Sequence, residues 1–584
     1  MNIKAETRKN ILNKLTSLYS NEKSEKILNN ILHLIKKYKS KLQIIKNTNN
    51  EWISERDVYL ITYGDTIKEE NKKPLKTLKS FLNKYIKGII NNIHILPFYP
   101  YSSDDGFSVI DFFKVNSDVG TWKNIKNISK NFKLMFDAII NHISSESKWF
   151  QEYLHGNLDY SSFFIEVDPA VDLSIVTRPR ALPLLTKFNT STGEKYIWTT
   201  FSKDQIDLNY KNQKVFLKII ELLLFYVIKG AKTIRLDAIG LLWKEIGTTC
   251  IHLSQTHNVI QLFRIILDLF CPGTILITET NVPHKENISY FGNGINEAHM
   301  VYQFSFPPLV LNAFQTEDSR HLSKWAKSIF PVSKKTGYFN FLSSHDGIGL
   351  MPVKDILSEK EIEQMCKRTK ENGGQVSYKA NSDGTESPYE LNINYFNALS
   401  NPDEKQEIKI KKIISAHAIL LSFIGVPAIY IHNLLGSSNY KEGVKITGRY
   451  RTINREKLNK ESLYKELADK KSIRNIIFNK ICSIIELRKK EKAFHPNAMQ
   501  KVVSSGNKIF SFIRISCDKK EFIFTFYNIT NKPQNIKCAL KKYILDEEIK
   551  LTDLISGQMH IVKDHIFNTG LKPYQFMWLK ISNK

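Results

Sequence analysis

The sequence VFLKIIELLLFYVIKGAKTIRLD, residues 215–237, decides which fold this chain of 584 residues is expected to adopt. Its spacing of apolar residues predicts a helix from Val215 to Lys229 and then a strand from Thr233 to Asp237. The strand is short, its apolar residues are Ile234 and Leu236, and it ends on the carboxylate of Asp237. A helix that leads into such a strand indicates an α/β fold.

Short apolar strands between helical segments occur at seven other places along the chain. They are Val58–Tyr63, Asn92–Pro97, Leu134–Ile140, Thr274–Glu279, Met300–Phe304, Gly337–Phe341 and Val426–Ile431. Eight such units predict a (β/α)8 TIM barrel, and we expect its catalytic domain to span residues 56–492. Two long segments, at about residues 143–213 and 347–410, interrupt the pattern. Segments of that length predict inserted loop domains that act as lids or binding loops.

Both ends of the chain differ in pattern from the predicted barrel. Residues 1–55 are expected to form an N-terminal helical extension, because apolar residues recur at helical spacing between Ser24 and Lys36. Residues 493–584 contain alternating stretches such as Lys508–Ile513 and Glu521–Phe526. This alternation predicts a C-terminal β-sandwich domain.

The formal net charge of +26 favours anionic substrates such as phosphate. The lysines are spread along the chain without a nucleic-acid-binding motif, so we expect no nucleic-acid partner. The sequence contains no apolar stretch of about 18 residues, so we expect no membrane span. The six cysteines are scattered without a CxxC pair, and the first residues lack a signal-peptide pattern. These features predict a cytoplasmic protein without a disulfide framework or a zinc site.

Polar residues stand where the predicted strands end. They are His142, Asp237, Glu279, His345 and Asp346. A single aspartate at such a place is more often a helix cap. Three carboxylates and two histidines at the carboxyl ends of barrel strands, however, indicate a catalytic site, because that face carries the active site in these barrels.

Retaining glycoside chemistry accounts for the three carboxylates. It needs a nucleophile and a proton donor about 5 Å apart, and neighbouring strands lie about 4.8 Å apart. Asp237 is the predicted nucleophile, which Arg235 would keep ionised. Glu279 is the predicted acid/base, whose pKa its carboxylate neighbours should raise. Asp346 would stabilise the transition state, and the two histidines would donate hydrogen bonds to sugar hydroxyls.

Three stretches resemble the signature regions of the α-amylase clan, glycoside hydrolase family 13: Ile234–Ala238, Ile277–Glu279 and Ser344–Asp346. Other stretches resemble the sucrose phosphorylase branch of that clan, namely His94–Pro100, Ser102–Phe107, Lys244–Thr248, Asp346–Gly349 and Ile453–Arg455. Within the branch the chain is similar to the glucosylglycerate phosphorylases, through Val176–Leu185, Trp198–Phe201, Gln205–Tyr210, Thr280–His284 and Ser387–Glu390.

Two departures from the sucrose phosphorylases lie toward the acceptor side. Those enzymes have a histidine where Asn281 stands here, and they lack the stretch Ser387–Glu390. Sucrose is therefore not the expected substrate.

The resemblance implies phosphorolysis of 2-O-α-glucosyl-D-glycerate to α-D-glucose 1-phosphate and D-glycerate by double displacement. Phosphate would be a co-substrate, with neither a metal nor an organic cofactor. Arg180 matches the phosphate-binding arginine of the family, and Arg178 would assist it. Residues matched to glucose binding are Asp104, Phe107, His142, Arg235, His345, Asp346 and Arg455, with Phe107 as an apolar wall. Lys379, Arg449 and Arg451 are candidates to bind the glycerate carboxylate.

Several alternatives stay open at this point. The acceptor could be fructose or glycerol, as in sucrose phosphorylase or glucosylglycerol phosphorylase. A hydrolase or transglycosidase would need no phosphate site. A basic binding protein without activity is disfavoured by the three carboxylates. The sequence leaves a homodimer open.

Overall fold

The computed structural model describes residues 3–42, 52–180, 182–381, 384–541 and 549–581. Parts of the predicted N-terminal extension and C-terminal domain lie outside these ranges. So do Ala181, Ser382 and Asp383, which belong to segments singled out in the sequence.

Eight parallel strands form a closed barrel, as predicted. They are β1 (Tyr59–Thr62), β2 (Asn92–Ile95), β3 (Lys133–Ala138), β4 (Ala231–Leu236), β5 (Ile275–Thr278), β6 (Met300–Tyr302), β7 (Gly337–Asn340) and β8 (Val426–Tyr430). Neighbours in the chain are neighbours in the sheet, and β1 closes the barrel by pairing with β8. The strands are almost fully buried because helices cover their outer side and side chains fill the interior.

Helices connect the strands and follow the last one. Those of eight residues or more are Pro74–Phe81, Trp122–Ser129, Gln213–Ile228, Ser254–Phe270, Phe306–Thr316, Glu359–Glu371, Gln406–Ser422, Lys460–Ala468 and Ile473–Arg488. Shorter ones are Leu82–Ile86, Lys148–Leu154, His284–Ile288, Arg320–Ala326, Tyr395–Leu399, Ile431–Leu434 and Lys441–Thr447. No helix within the described ranges is long and apolar enough to cross a bilayer.

The two long segments after β3 and β7 contain small sheets of their own. In the first, His142–Ser144 pairs with Gln205–Asp207, and Leu185–Thr190 pairs with Gly193–Trp198. In the second, the strands Ile348–Gly349, Glu386–Asn392 and Gln375–Ala380 form a three-stranded antiparallel sheet. Both segments therefore extend from the carboxyl ends of barrel strands, where they can wall a site.

The chain begins with two helices, Ala5–Leu18 and Asn21–Leu42, which pack on helices of the barrel. Buried apolar residues on both helices, such as Leu15 and Ile27, belong to the same core as the barrel. The Tyr19 hydroxyl donates a hydrogen bond to the Tyr210 carbonyl, at 3.1 Å. The extension is thus continuous with the catalytic core.

The end of the chain forms a six-stranded antiparallel sheet beside a two-stranded one. Their strands are Met499–Val502, Ile509–Ile515, Phe522–Asn528, Gln534–Ala539, Ile549–Asp553, Met559–Val562, Ile566–Leu571 and Phe576–Ile581. Alternate side chains of both sheets meet in a separate core that includes Phe524, Ile536 and Leu571. Two facing sheets with a common core are the packing expected of a sandwich.

Candidate active site

A cavity of about 160 Å³ lies at the carboxyl ends of the barrel strands. All of the predicted site residues except Arg235 and Arg455 line it: Asp104, Phe107, His142, Arg178, Arg180, Asp237, Glu279, Asn281, His345 and Asp346. The two arginines lie behind the lining, where they bond to its carboxylates. Asp104 and Asp346, 242 positions apart in sequence, thus meet because each follows the end of a barrel strand.

Arg235 of β4 points into the barrel and bridges two carboxylates. Its Nη1 donates to Asp237 Oδ1 and to Asp137 Oδ1, both at 2.6 Å. Burial raises the pKa of the Asp237 carboxyl, and the adjacent guanidinium of Arg235 opposes that shift. The guanidinium at hydrogen-bonding distance stabilises the ionised form of Asp237, which is the form that a nucleophile requires.

The turn after β4 places a backbone donor on Glu279. Ala238 has φ of +47°, a left-handed conformation that costs an alanine about 1 kcal/mol or more. In this conformation its N–H donates to Glu279 Oε2 at 3.0 Å. The nearest guanidinium nitrogen, Arg235 Nη2, is 3.7 Å from Glu279 Oε1. The strained turn therefore orients one carboxylate with respect to the other.

Burial raises the pKa of the Glu279 carboxyl to about 7, and the charge on Asp237 adds to this effect. A carboxylic acid with that pKa is protonated in about half of the molecules at neutral pH, and it can both donate and accept a proton there. The two neighbouring carboxyl groups thus lie in different electrostatic surroundings, as an acid and a nucleophile must.

Asp346 lies between an arginine and a histidine. Arg451 Nη1 lies 2.6 Å from its Oδ1, and His345 Nε2 lies 3.3 Å from its Oδ2. Burial disfavours the charge, but these neighbours hold the pKa of Asp346 well below its usual range. Arg451 also bonds to Glu390 through two nitrogens, at 3.0 and 2.8 Å. Asp346 is therefore an anion in a fixed orientation.

Phe107 and two histidines form a wall of the cavity. The rings of Phe107 and His345 stack at 4.7 Å. His142 Nε2 donates to the Phe107 carbonyl at 2.9 Å. Burial lowers the pKa of both histidines, that of His345 to about 3, so both are neutral at physiological pH. This wall is apolar on one side with neutral ring nitrogens at its edge, which suits a sugar ring.

Asp104 lies in the turn that follows β2, with φ of +53°. Its two carboxylate oxygens are each 3.9 Å from an arginine, Arg455 Nη1 on one side and Arg180 Nη2 on the other. Asp104 therefore connects the glucose side predicted for Arg455 with the anion side predicted for Arg180.

The two acceptor-side departures noted in the sequence lie next to each other. The Asn281 side chain is within hydrogen-bonding reach of the Tyr389 hydroxyl. Asn281 is held closely, because a Cβ on Gly349 would lie 2.7 Å from its Oδ1. These residues form one wall of the cavity, so the two departures describe a single feature.

The three candidates for the acceptor carboxylate lie in different surroundings. Lys379 lines the cavity itself. Arg449 lines an adjoining cleft of about 360 Å³. Arg451 lines both, but it is already bonded to Asp346 and Glu390.

Sequence reasoning missed three features of the site. Asp137, the second carboxylate on Arg235, lies inside β3, where only its charge within an apolar strand could have revealed it. The pair of Glu390 and Arg451 joins distant segments, so no local pattern predicts it. Lys244, buried behind His142, donates to Asn141 Oδ1 at 2.7 Å and pairs with Asp207. In the sequence, Lys244 stands out only as the first residue of the family stretch Lys244–Thr248.

Within the described part of the chain, no group of three or more His, Cys, Asp or Glu side chains could hold a metal ion. The absence of metal and organic cofactors from the reaction stays a prediction.

A family model described as "Alpha amylase, catalytic domain" matches residues 66–355. A glucosylglycerate phosphorylase of Spirochaeta thermophila is 46% identical, over 90% of this chain and 90% of that protein. A glucosylglycerate phosphorylase of Escherichia coli K12 is 43% identical, over 94% of this chain and 96% of that protein.

Among solved structures, sucrose 6F-phosphate phosphorylase from Thermoanaerobacter thermosaccharolyticum superposes with a TM-score of 0.72. It is 23% identical, and the match covers 87% of this chain and 98% of that one. This likeness shows that the two chains share a fold.

Proposed function

We propose that this chain, which belongs to the glucosylglycerate phosphorylase family, converts 2-O-α-glucosyl-D-glycerate and phosphate to α-D-glucose 1-phosphate and D-glycerate. The observation that carries the proposal is that Arg178 and Arg180 line the same cavity as Asp237 and Glu279. A retaining carboxylate pair cleaves an α-glucoside, and the two guanidinium groups supply an anion site beside it.

The first half-reaction transfers the glucosyl group to the protein. Asp237 attacks the anomeric carbon, and the bond from that carbon to the glycerate oxygen breaks. Glu279 gives its proton to that oxygen, so neutral hydroxyl rather than alkoxide leaves. Asp346 stabilises the positive charge that develops on the sugar ring and binds its hydroxyls. The product is a glucosyl ester of Asp237.

The second half-reaction returns the glucosyl group to phosphate. A phosphate oxygen attacks the anomeric carbon, the ester bond to Asp237 breaks, and ionised Glu279 accepts a proton from the phosphate. Arg180 and Arg178 bind the remaining phosphate oxygens, which favours phosphate over water at this point. Two inversions leave the α configuration unchanged.

Glucose is held in this scheme by Asp104, Phe107, His142, Arg235, His345 and Arg455, with Asn281 on the acceptor side. Phosphate is a co-substrate, and the reaction needs neither a metal nor an organic cofactor. We further expect a cytoplasmic enzyme without a nucleic-acid partner, and a homodimer stays open.

The test incubates the protein with glucosylglycerate, sucrose and glucosylglycerol, each with and without phosphate, and measures glucose 1-phosphate and free glucose. We expect phosphate-dependent glucose 1-phosphate from glucosylglycerate. Release of glucose without a phosphate requirement would show a hydrolase instead. Turnover of sucrose or glucosylglycerol in preference to glucosylglycerate would show that the acceptor is wrong. Persistence of activity in D237N would remove Asp237 from its role.

A further inference from the structure

The geometry points to Lys379 as the residue that binds the acceptor carboxylate and thereby selects glycerate over neutral acceptors. The inference rests on the function proposed above. Lys379 belongs to the strand Gln375–Ala380 of the second inserted segment. It lines the cavity together with Glu279, Asn281 and Tyr389, which places it on the acceptor side.

Three arginines behind and beside the cavity are already paired with carboxylates of the protein. Arg235, Arg451 and Arg455 each have a nitrogen within 2.8 Å of a carboxylate oxygen. In contrast, the Lys379 ammonium has no ion pair or hydrogen bond with any residue that the structure describes. It is therefore a cation that can bind an anion from solution without breaking an ion pair among the residues that the structure describes.

Phosphate and glycerate use the same side of the glucosyl unit in turn, because both half-reactions proceed through the same face of the anomeric carbon. The two anions differ in reach. The free oxygens of phosphate are two bonds from the reacting oxygen, whereas the carboxylate oxygens of glycerate are three bonds from it. Arg178 and Arg180, on the first inserted segment, suit the compact anion. Lys379, on the opposite segment and on a flexible four-carbon stem, suits the longer one.

Two features of the surroundings favour an anion with a hydroxyl group. Burial and the nearby charge of Lys354 lower the pKa of Lys379, and a bound carboxylate would offset both effects. The buried Asn281 Oδ1 has no hydrogen-bond partner within the described ranges, so it can accept from the acceptor's free hydroxyl. A neutral acceptor would leave the half-buried ammonium without a counter-charge, which discriminates against it.

The test measures acceptor choice in the direction of synthesis, with glucose 1-phosphate as donor and D-glycerate or glycerol as acceptor. We expect K379Q to lower the ratio of kcat/KM for glycerate to kcat/KM for glycerol by about 10- to 100-fold, as for loss of a charged hydrogen bond. K379R should keep most of the ratio. The matched control is K354Q, which removes a neighbouring lysine outside the cavity lining and should keep the wild-type ratio.

A parallel loss for both acceptors, or an unchanged ratio in K379Q, would overturn the assignment. K379M, uncharged and of similar length, repeats the measurement if thermal unfolding shows that K379Q does not fold. Failure of the proposed function is seen separately, in the wild-type protein, as absence of glucose 1-phosphate from glucosylglycerate and phosphate. If the wild-type protein is active on glucosylglycerate but the glycerate-to-glycerol ratio is unchanged in K379Q, only the inference about Lys379 is contradicted.

Discussion

Two neighbouring carboxyl groups differ in their nearest partners, and this difference supports the roles proposed for them. Asp237 has a guanidinium nitrogen at 2.6 Å, whereas Glu279 has a backbone amide at 3.0 Å and its nearest guanidinium nitrogen at 3.7 Å. A full positive charge at hydrogen-bonding distance favours ionisation more than an amide dipole does. The proton of the pair therefore resides on Glu279, and each prediction for single residues follows from that.

E279Q should lose most of its activity on glucosylglycerate but stay active on a donor that needs no proton. Because the amide cannot protonate the glycerate oxygen, we expect kcat to fall about 100- to 10,000-fold. α-Glucosyl fluoride, whose leaving group departs as an anion, should still form the glucosyl-enzyme, and the measurement compares fluoride release with glycerate release. D237N is the control that should lose both reactions. Equal losses on the two donors in E279Q would contradict the role of acid.

The pH dependence should follow the Glu279 carboxyl. Cleavage needs its protonated form, so kcat/KM for glucosylglycerate should fall as the pH rises above about 7. Its ordinary pKa is 4.5, so between pH 4.5 and 7 the unfolded chain has lost a proton that the folded one keeps. The contribution of Glu279 to the free energy of unfolding is therefore fully present below pH 4.5, and it is lost as the pH rises from there through about 7.

The same titration predicts a difference in stability between wild type and E279Q. The glutamine does not ionise, so E279Q should be more stable by about 1 to 3 kcal/mol at pH 8. The difference should shrink toward pH 4. Thermal unfolding at the two pH values measures it, and a difference independent of pH would contradict the raised pKa.

Residues of the site could be predicted where a charged side chain stands at the end of an apolar strand. Asp237 and Glu279 stand at such positions, so the sequence identifies them without a structure. The pair of Glu390 and Arg451 could not be found in this way, because the two residues are 61 positions apart and meet only after folding. Local pattern predicts which side chains reach the site, but not which charges are neutralised within it.

At the scale of elements, a buried lysine joins the first inserted segment to the barrel. The Lys244 ammonium donates to Asn141 Oδ1 at 2.7 Å and to the Leu241 carbonyl at 2.6 Å, and it pairs with Asp207 of the insertion. Asp207 in turn accepts from the Thr200 backbone at 2.7 Å. One charge therefore holds the ends of β3 and β4 and the insertion in a common position behind His142.

K244M should loosen that junction. It leaves the Asp207 carboxylate buried without a counter-charge, which we expect to cost about 3 to 5 kcal/mol of unfolding free energy. Chemical denaturation measures the loss, and the double variant D207N/K244M should recover part of it. The matched control, K211M, breaks an ion pair with Glu245 at the surface, and it should cost about 1 kcal/mol or less. If K244M is as stable as K211M, Lys244 does not hold the first inserted segment to the barrel.

Elements of the barrel were predictable to within a few residues, while pairings inside the insertions were not. Strands such as β5 and β8 are short apolar runs buried on both faces, which leaves little ambiguity. The strand Gln375–Ala380 is polar and partly exposed, so its own pattern does not identify its partner. It pairs with Glu386–Asn392 because the barrel, from which both strands extend, brings them together. Register in such strands depends on tertiary context.

At the scale of the whole molecule, Arg514 joins the C-terminal sheet to the barrel. Its guanidinium is fully buried and donates to backbone carbonyls of Ser422, His495 and Ala498. R514M would leave these carbonyls without their donor, at an expected cost of about 2 to 4 kcal/mol in thermal unfolding. R320M, at an exposed arginine, is the control and should cost under about 1 kcal/mol. Since Arg514 is remote from the cavity lining, kcat of the folded R514M protein should not change.

The net charge of +26 is a property of the whole molecule that should act on its anionic substrates. A positive field raises the local concentration of phosphate and glucosylglycerate, and added salt screens it because the Debye length falls from about 10 Å at 0.1 M to about 3 Å at 1 M. We therefore expect KM for phosphate to rise about 3- to 10-fold across that range of sodium chloride, with little change in kcat. Hydrolysis of neutral α-glucosyl fluoride without phosphate is the control, and its KM should stay nearly constant. A KM for phosphate that does not respond to salt would mean that phosphate binding depends on contacts within the cavity, with Arg178 and Arg180 at its lining, and not on the charge of the whole chain.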